Sequence, residues 1–148
     1  MKALTTEQIM KICSKNNIKI NGIHSKDNMP KQLHNGWYII NLDDACGGGT
    51  HWTCLYFGKY NFYFDSFGYP PPIQVQEMIT PYVYNHKEIQ NINSSSCGYF
   101  CICMIMYNQN GNKTDINKFL KYFTNNTMMN ETILKAMLHH PSTISCGK

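Results

Sequence analysis

The longest apolar run in the chain is Cys97 to Tyr107, CGYFCICMIMY, which carries no charge. It is too long and too apolar for most strands, and predicts a central buried helix closed by Asn108-Gln109-Asn110-Gly111. Nearer the start, Ile9, Met10, Ile12 and Cys13 have the spacing of a short amphipathic helix. Thr5-Thr6-Glu7-Gln8 introduces it with the form of a capping box, and it should end near Asn16-Asn17. The polar stretch His24 to Gly36, with Pro30, reads as loop.

Trp37 to Leu42 (WYIINL) is a buried-strand pattern, followed by the glycine-rich connection Asp43 to Thr50. His51 to Phe57 and Asn61 to Ser66 flank Gly58-Lys59-Tyr60, the pattern of an antiparallel hairpin, and Phe67 to Pro72 breaks it off. Ile73 to Ile79 predicts a helix stopped before Pro81, and Glu88 to Ile92 a further strand. Beyond the central helix, Asp115 to Phe123 and Asn130 to His139 predict two more helices, capped by Asp115 or its neighbour and by Asn130. Pro141 to Lys148 reads as a loose tail. The sum is a single α+β domain over residues 1–148: a small, mostly antiparallel sheet packed against a central buried helix, with flanking helices.

Composition adds bounds. A domain of 148 residues buries roughly 68–70% of its unfolded surface, so it needs no disulfide scaffold. The seven cysteines are an odd number without regular spacing, and the opening MKALTTEQIMKICSKNN turns polar too soon for a signal peptide. Free thiols in a reducing compartment are expected. No stretch reaches the roughly 18 uninterrupted apolar residues of a membrane span. All thirteen basic residues are lysine and asparagine is abundant, which fits an AT-rich genome. A net charge of +4 permits weak, salt-sensitive attraction to DNA, but the lysines are scattered.

The chemistry centres on Cys97. At the first turn of a helix it would meet unpaired backbone N–H groups and the positive end of the macrodipole, which favour a thiolate. Ser94 to Ser96 could cap that helix, and Gly98 has no side chain to obstruct a substrate. Buried cysteines are common, and Cys101 and Cys103 read as small core residues. A zinc or nucleic-acid module built on Cys97, Cys101, Cys103 and a histidine is disfavoured, because a C-x3-C-x-C run in an apolar helix points its thiols apart.

A nucleophilic cysteine needs a base, and the base an orienting acceptor. His51 follows Gly47-Gly48-Gly49-Thr50 at the start of a strand. Asp65 sits in the apolar phrase FYFDSFG on the partner strand, where the hairpin register can bring it to the imidazole; an Asx turn to Phe67 or Gly68 is its structural alternative. Gln90, on the segment leading into Cys97, offers a side-chain amide for an oxyanion, with the Cys97 backbone N–H as a second donor. Trp52 reads as a core-filling residue.

The order His51, Asp65, Gln90, Cys97, within "GGTHW", "YFDSFG", "Q" and "NSSSCGYF", resembles the adenovirus-type maturation proteases, relatives of the SUMO-specific, Ulp-type proteases. The resemblance extends over most of Ala3 to Asn108. In that family a Gly-x-His-Trp motif supplies the base, an acid in (D/E)-x-F-G orients it, and Gln-x6-Cys-Gly supplies oxyanion donor and nucleophile. It implies a papain-like, adenain-like fold and a cysteine endopeptidase that needs no cofactor for its chemistry, and a Trp52 that shields the His51–Asp65 contact from water, compatibly with filling the core. Two departures stand out. No cysteine lies between Asp65 and Gln90, where the adenoviral enzyme bonds its activating peptide, and the chain is shorter beyond the central helix, where the DNA-binding surface would be sought.

The resemblance further implies processing of viral capsid precursors after small residues or glycine, by a monomer acting in the virion and in the host cytoplasm or viral factory. A virophage or related viral element would be its source, with a peptide or DNA as a potential activator and no membrane partner. Two other functions use the same residues differently: a deubiquitinase or SUMO-type protease acting on host proteins, and a catalytically inactive, capsid-associated structural protein.

Overall fold

The computed structural model describes residues 1–43, 51–109 and 116–139. The described residues fold as α+β around a five-stranded sheet of order β1-β2-β3-β4-β5. The strands are β1 (Gly22–Ser25), β2 (Gly36–Asn41), β3 (Trp52–Phe57), β4 (Asn61–Phe64) and β5 (Tyr82–Tyr84). The helices are α1 (Thr6–Lys15), α2 (Ile73–Ile79), α3 (Cys97–Tyr107), α4 (Ile116–Leu120) and α5 (Thr127–His139).

α1 starts where the capping box places it: the Thr5 hydroxyl accepts from the Gln8 N–H at 3.2 Å and the Gln8 side chain accepts from the Thr5 N–H at 2.9 Å. The hairpin is present, with β3 and β4 paired Cys54 to Phe64, Leu55 to Tyr63 and Tyr56 to Phe62. Period-2 alternation sorts the sheet into two faces. Trp37, Ile39, Trp52, Cys54, Phe62 and Phe64 pack in the core that contains α3. Tyr38, Ile40, Leu55 and Tyr63 pack with Val75 and Ile79 of α2. α3 is apolar around nearly its whole circumference because the sheet, α1, α4 and α5 all touch it.

Several expectations need correction. The sheet is mixed rather than mostly antiparallel: β2–β3 and β3–β4 are antiparallel, but β1–β2 and β4–β5 are parallel. His24 and Ser25 belong to strand β1, a short edge too brief to show alternation. The fifth strand is Tyr82–Tyr84; Glu88 to Ile92 is irregular, and the Ile89 and Gln90 N–H groups both donate to the Ser66 carbonyl instead of forming a ladder. α5 begins at Thr127, three residues before Asn130. Asn130 is therefore not its cap: its side chain is buried within the helix and bonds outward. α4 is shorter than its pattern, ending at Leu120 with Phe123 in the following turn. The predicted Asp115 cap, the Gly111 end of the central helix, most of the glycine-rich connection and the tail from Pro141 lie outside the described residues.

Candidate active site

β3, the turn after β4 and the N-terminus of α3 converge on one cluster. The hairpin ladder ends at Cys54–Phe64; His51 immediately precedes β3 and Asp65 immediately follows β4, so both lie at the same end of the hairpin. His51 Nε2 lies 2.7 Å from Asp65 Oδ1, and the imidazole stacks on the Phe67 ring at 4.5 Å and 16°. An imidazolium on an aromatic face gains a cation–π contribution.

Asp65 is 1% exposed, and its surroundings fix it on all sides. Its Oδ1 also accepts the Phe67 N–H at 2.8 Å, and its carbonyl accepts the Gly68 N–H at 2.8 Å. The Asx turn and the histidine contact, alternatives in the sequence, are both present. Gly68 takes φ +83 and lies so close to the 86–88 backbone that a Cβ would come within 3.0 Å of the His86 carbonyl oxygen, which explains the glycine in FDSFG. Asn85, buried, completes the frame: Oδ1 accepts the Asp65 N–H at 3.0 Å and Nδ2 donates to the Asp65 carbonyl at 2.6 Å. A side-chain amide here does what a strand neighbour would do. Nothing in the sequence singled out Asn85; a polar residue in the phrase YVYNH after an apolar strand was the only signal.

Cys97 is the first residue of α3 and 5% exposed. Its Sγ accepts the Trp52 backbone N–H at 3.3 Å, so the residue after His51 holds the sulfur. The Trp52 indole N–H donates to the Leu4 carbonyl at 2.8 Å and its ring is buried, which is the core-filling role. Gly98 is packed rather than open: a Cβ would meet Leu4 Cδ1 at 3.1 Å and Trp52 Cδ1 at 3.3 Å. Its small size therefore serves helix packing rather than substrate access. The expected serine cap is also absent. Ser96 makes no side-chain cap bond and its hydroxyl donates to Glu131.

Electrostatics couple His51 to both partners. Burial alone would lower the imidazole's affinity for a proton, but hydrogen bonds and charge from Asp65 and from Cys97 outweigh it, and the pKa is pushed up to about 9. With Nε2 engaged by Asp65, Nδ1 is the nitrogen left for the cysteine. Burial raises three core thiols: Cys13 to about 11, and Cys101 and Cys103 well above the ordinary range. These remain protonated, inert core groups.

Gln90 is 1% exposed. Its Oε1 accepts the Ser66 hydroxyl and its Nε2 donates to the Ser94 carbonyl at 2.9 Å. The amide is thus tied at one end to the residue beside Asp65 and at the other to the loop before Cys97. Among the described residues, no group of three or more His, Cys, Asp or Glu side chains could hold a metal ion.

No family model and no curated protein matches the chain. Among solved structures, the ASFV pS273R protease is similar at a TM-score of 0.49 and 14% identity, over 90% of this chain and 67% of that one. A likeness at that level carries no argument about chemistry.

Proposed function

We propose that the chain is a cysteine endopeptidase in which Cys97 is the nucleophile, His51 the base, Asp65 its orienting acid and Gln90 an oxyanion donor. The observation that carries this is the 2.7 Å contact between His51 Nε2 and a buried Asp65, next to a Cys97 whose Sγ accepts the backbone N–H of Trp52, the residue after His51. Burying a carboxylate and an imidazole is costly unless they are paired, and a purely structural pair has no need of a thiol beside it.

In the proposed reaction the Cys97 thiolate attacks the scissile carbonyl. The oxyanion is met by the Cys97 backbone N–H, which as the first of α3 has no intrahelical partner, and by the second N–H of Gln90. His51 passes its proton to the leaving amine and then activates the water that hydrolyses the thioester. Asp65 holds the imidazole with one nitrogen toward the sulfur.

The motif resemblance extends the proposal to an adenain-like enzyme that trims viral capsid precursors after small residues or glycine. A peptide library incubated with the wild type and with Cys97→Ala, with cut sites mapped by mass spectrometry, tests it. Cleavage after small residues by the wild type alone is expected. Bulky residues before the bond would overturn the specificity, and cleavage by the alanine variant would overturn the nucleophile.

A further inference from the structure

We propose that Glu131, on α5, is a positioning residue for the nucleophile, acting through the hydroxyl of Ser96; this rests on the cysteine-nucleophile reading above. Ser96 is fully buried and immediately precedes Cys97. A buried hydroxyl must find an acceptor. At this position, just before a helix, the ordinary acceptor role would be toward that helix's own N–H groups. The Ser96 hydroxyl instead donates to Glu131 Oε1, a charge-assisted bond to a different helix. The Ser96 carbonyl accepts the Phe100 N–H at 3.0 Å, so whatever fixes Ser96 fixes the first turn of α3 and Cys97 with it.

The same face of α5 holds the segment that enters this turn. Thr127, Asn130 and Glu131 are spaced i, i+3, i+4 and share one face. Asn91 Nδ2 donates to Thr127 Oγ1 at 3.2 Å, and Asn130 Nδ2 donates to the Ile89 carbonyl at 3.0 Å. Three contacts therefore bracket Gln90 and end beside Cys97, setting the proposed oxyanion donor and nucleophile against one rigid element. The Ser96 bond, aided by the terminal amine of Met1 at 3.1 Å, holds the Glu131 carboxyl below the usual carboxylate range, against its partial burial. It is ionised at neutral pH.

Charge and position make opposite demands. A carboxylate near a thiolate disfavours it by like charge, whereas an acceptor that holds Cys97 against His51 favours it. The test is iodoacetamide labelling of the native protein at pH 6 and pH 9, with the Cys97 peptide quantified by mass spectrometry in the wild type, E131A, E131Q and S96A. E131A and S96A are expected to slow Cys97 labelling at pH 6 by about tenfold or more, through loss of contact with His51. At pH 9, where an ordinary thiol is ionised, their rates should stay within about twofold of the wild type. E131Q keeps an acceptor oxygen and should retain most of the pH 6 rate. The double variant should be no slower than either single, because the two residues act as one contact.

Wild-type rates at pH 6 in both E131A and S96A, with Cys97 still selectively labelled in the wild type, would overturn the inference and leave the nucleophile assignment standing. Faster labelling in both E131A and E131Q would overturn it too, since charge would then be what Glu131 contributes. Cys97 in the wild type reacting no faster than the other thiols would overturn the nucleophile assignment itself. S96A removes only a hydroxyl, so it carries the test if E131A does not fold.

Discussion

The hydroxyl of Ser66 donates to the side-chain carbonyl of Gln90, joining the residue beside the acid to the residue proposed to hold the oxyanion. The Ser66 carbonyl also accepts the Ile89 and Gln90 N–H groups, at 2.9 and 3.1 Å. By occupying Oε1, Ser66 turns the Nε2 end of the amide toward the Ser94 carbonyl, in the loop before Cys97. Ser66→Ala leaves that oxygen buried without its partner, which costs about 1–3 kcal/mol in stability. It should also lower kcat by about tenfold with little change in KM, a fraction of the 10²–10³ expected for Gln90→Ala. Steady-state kinetics of the three proteins checks this, and a Gln90→Ala rate equal to wild type removes Gln90 from the mechanism.

His51 should be an imidazolium at neutral pH. Its folded pKa, pushed up to about 9, lies above the 6.5 of a free imidazole. The bound proton therefore contributes stability that is complete below about pH 6.5 and is lost as pH rises through about 9. NMR titration of the His51 ring should show the high midpoint, and Asp65→Asn should bring it down. Thermal melts should show the wild type losing its advantage over His51→Gln between those two pH values.

The helices and central strands were legible in the sequence because each has a local cause: a capping box at Thr5, a charge-free run from Cys97, a turn at Gly58-Lys59-Tyr60 between alternating residues. His51, Asp65, Gln90 and Cys97 stood out as motifs, and the contact of the first two was expected from the hairpin they flank. What was hidden is non-local. β1 and β5 exist because they pair in parallel with β2 and β4, and parallel partners leave no turn signature between them. Ser96 looked like a cap because its true acceptor, Glu131, is 35 residues away. Asn85 carried no local signal because its role depends on the backbone of Asp65, 20 residues earlier.

Asn85→Ala should be among the more damaging single changes outside the proposed triad. It leaves the buried Asp65 N–H without its partner and takes one of two donors from the Asp65 carbonyl, which keeps the Gly68 N–H. An unsatisfied buried group costs about 1–3 kcal/mol, and a loss of that size is expected in chemical denaturation. The His51 pKa should fall with it, as Asp65 loses its fixed position. An unchanged imidazole titration would show that Asp65 is held without Asn85.

Gly98 separates packing from access. The atoms a Cβ would meet first belong to the flexible Leu4 side chain and to the Trp52 ring, so Gly98→Ala should change stability by no more than about 1 kcal/mol, helped by alanine's better helix propensity. Gly98→Leu has no such room and should cost about 1–3 kcal/mol or more by overpacking. Paired melts test this; equal stability of the leucine variant would mean that the Leu4 segment lifts away easily.

The most direct test of the central claim needs no substrate. Native protein is treated with iodoacetamide near pH 6, where an ordinary thiol, pKa about 8.5, is almost wholly protonated, and each cysteine peptide is quantified in the wild type and in His51→Ala. Selective, rapid labelling of Cys97 that disappears with His51 is the predicted result. Slow or indiscriminate labelling, the same in both proteins, would contradict the proposal that His51 and Cys97 form a catalytic ion pair.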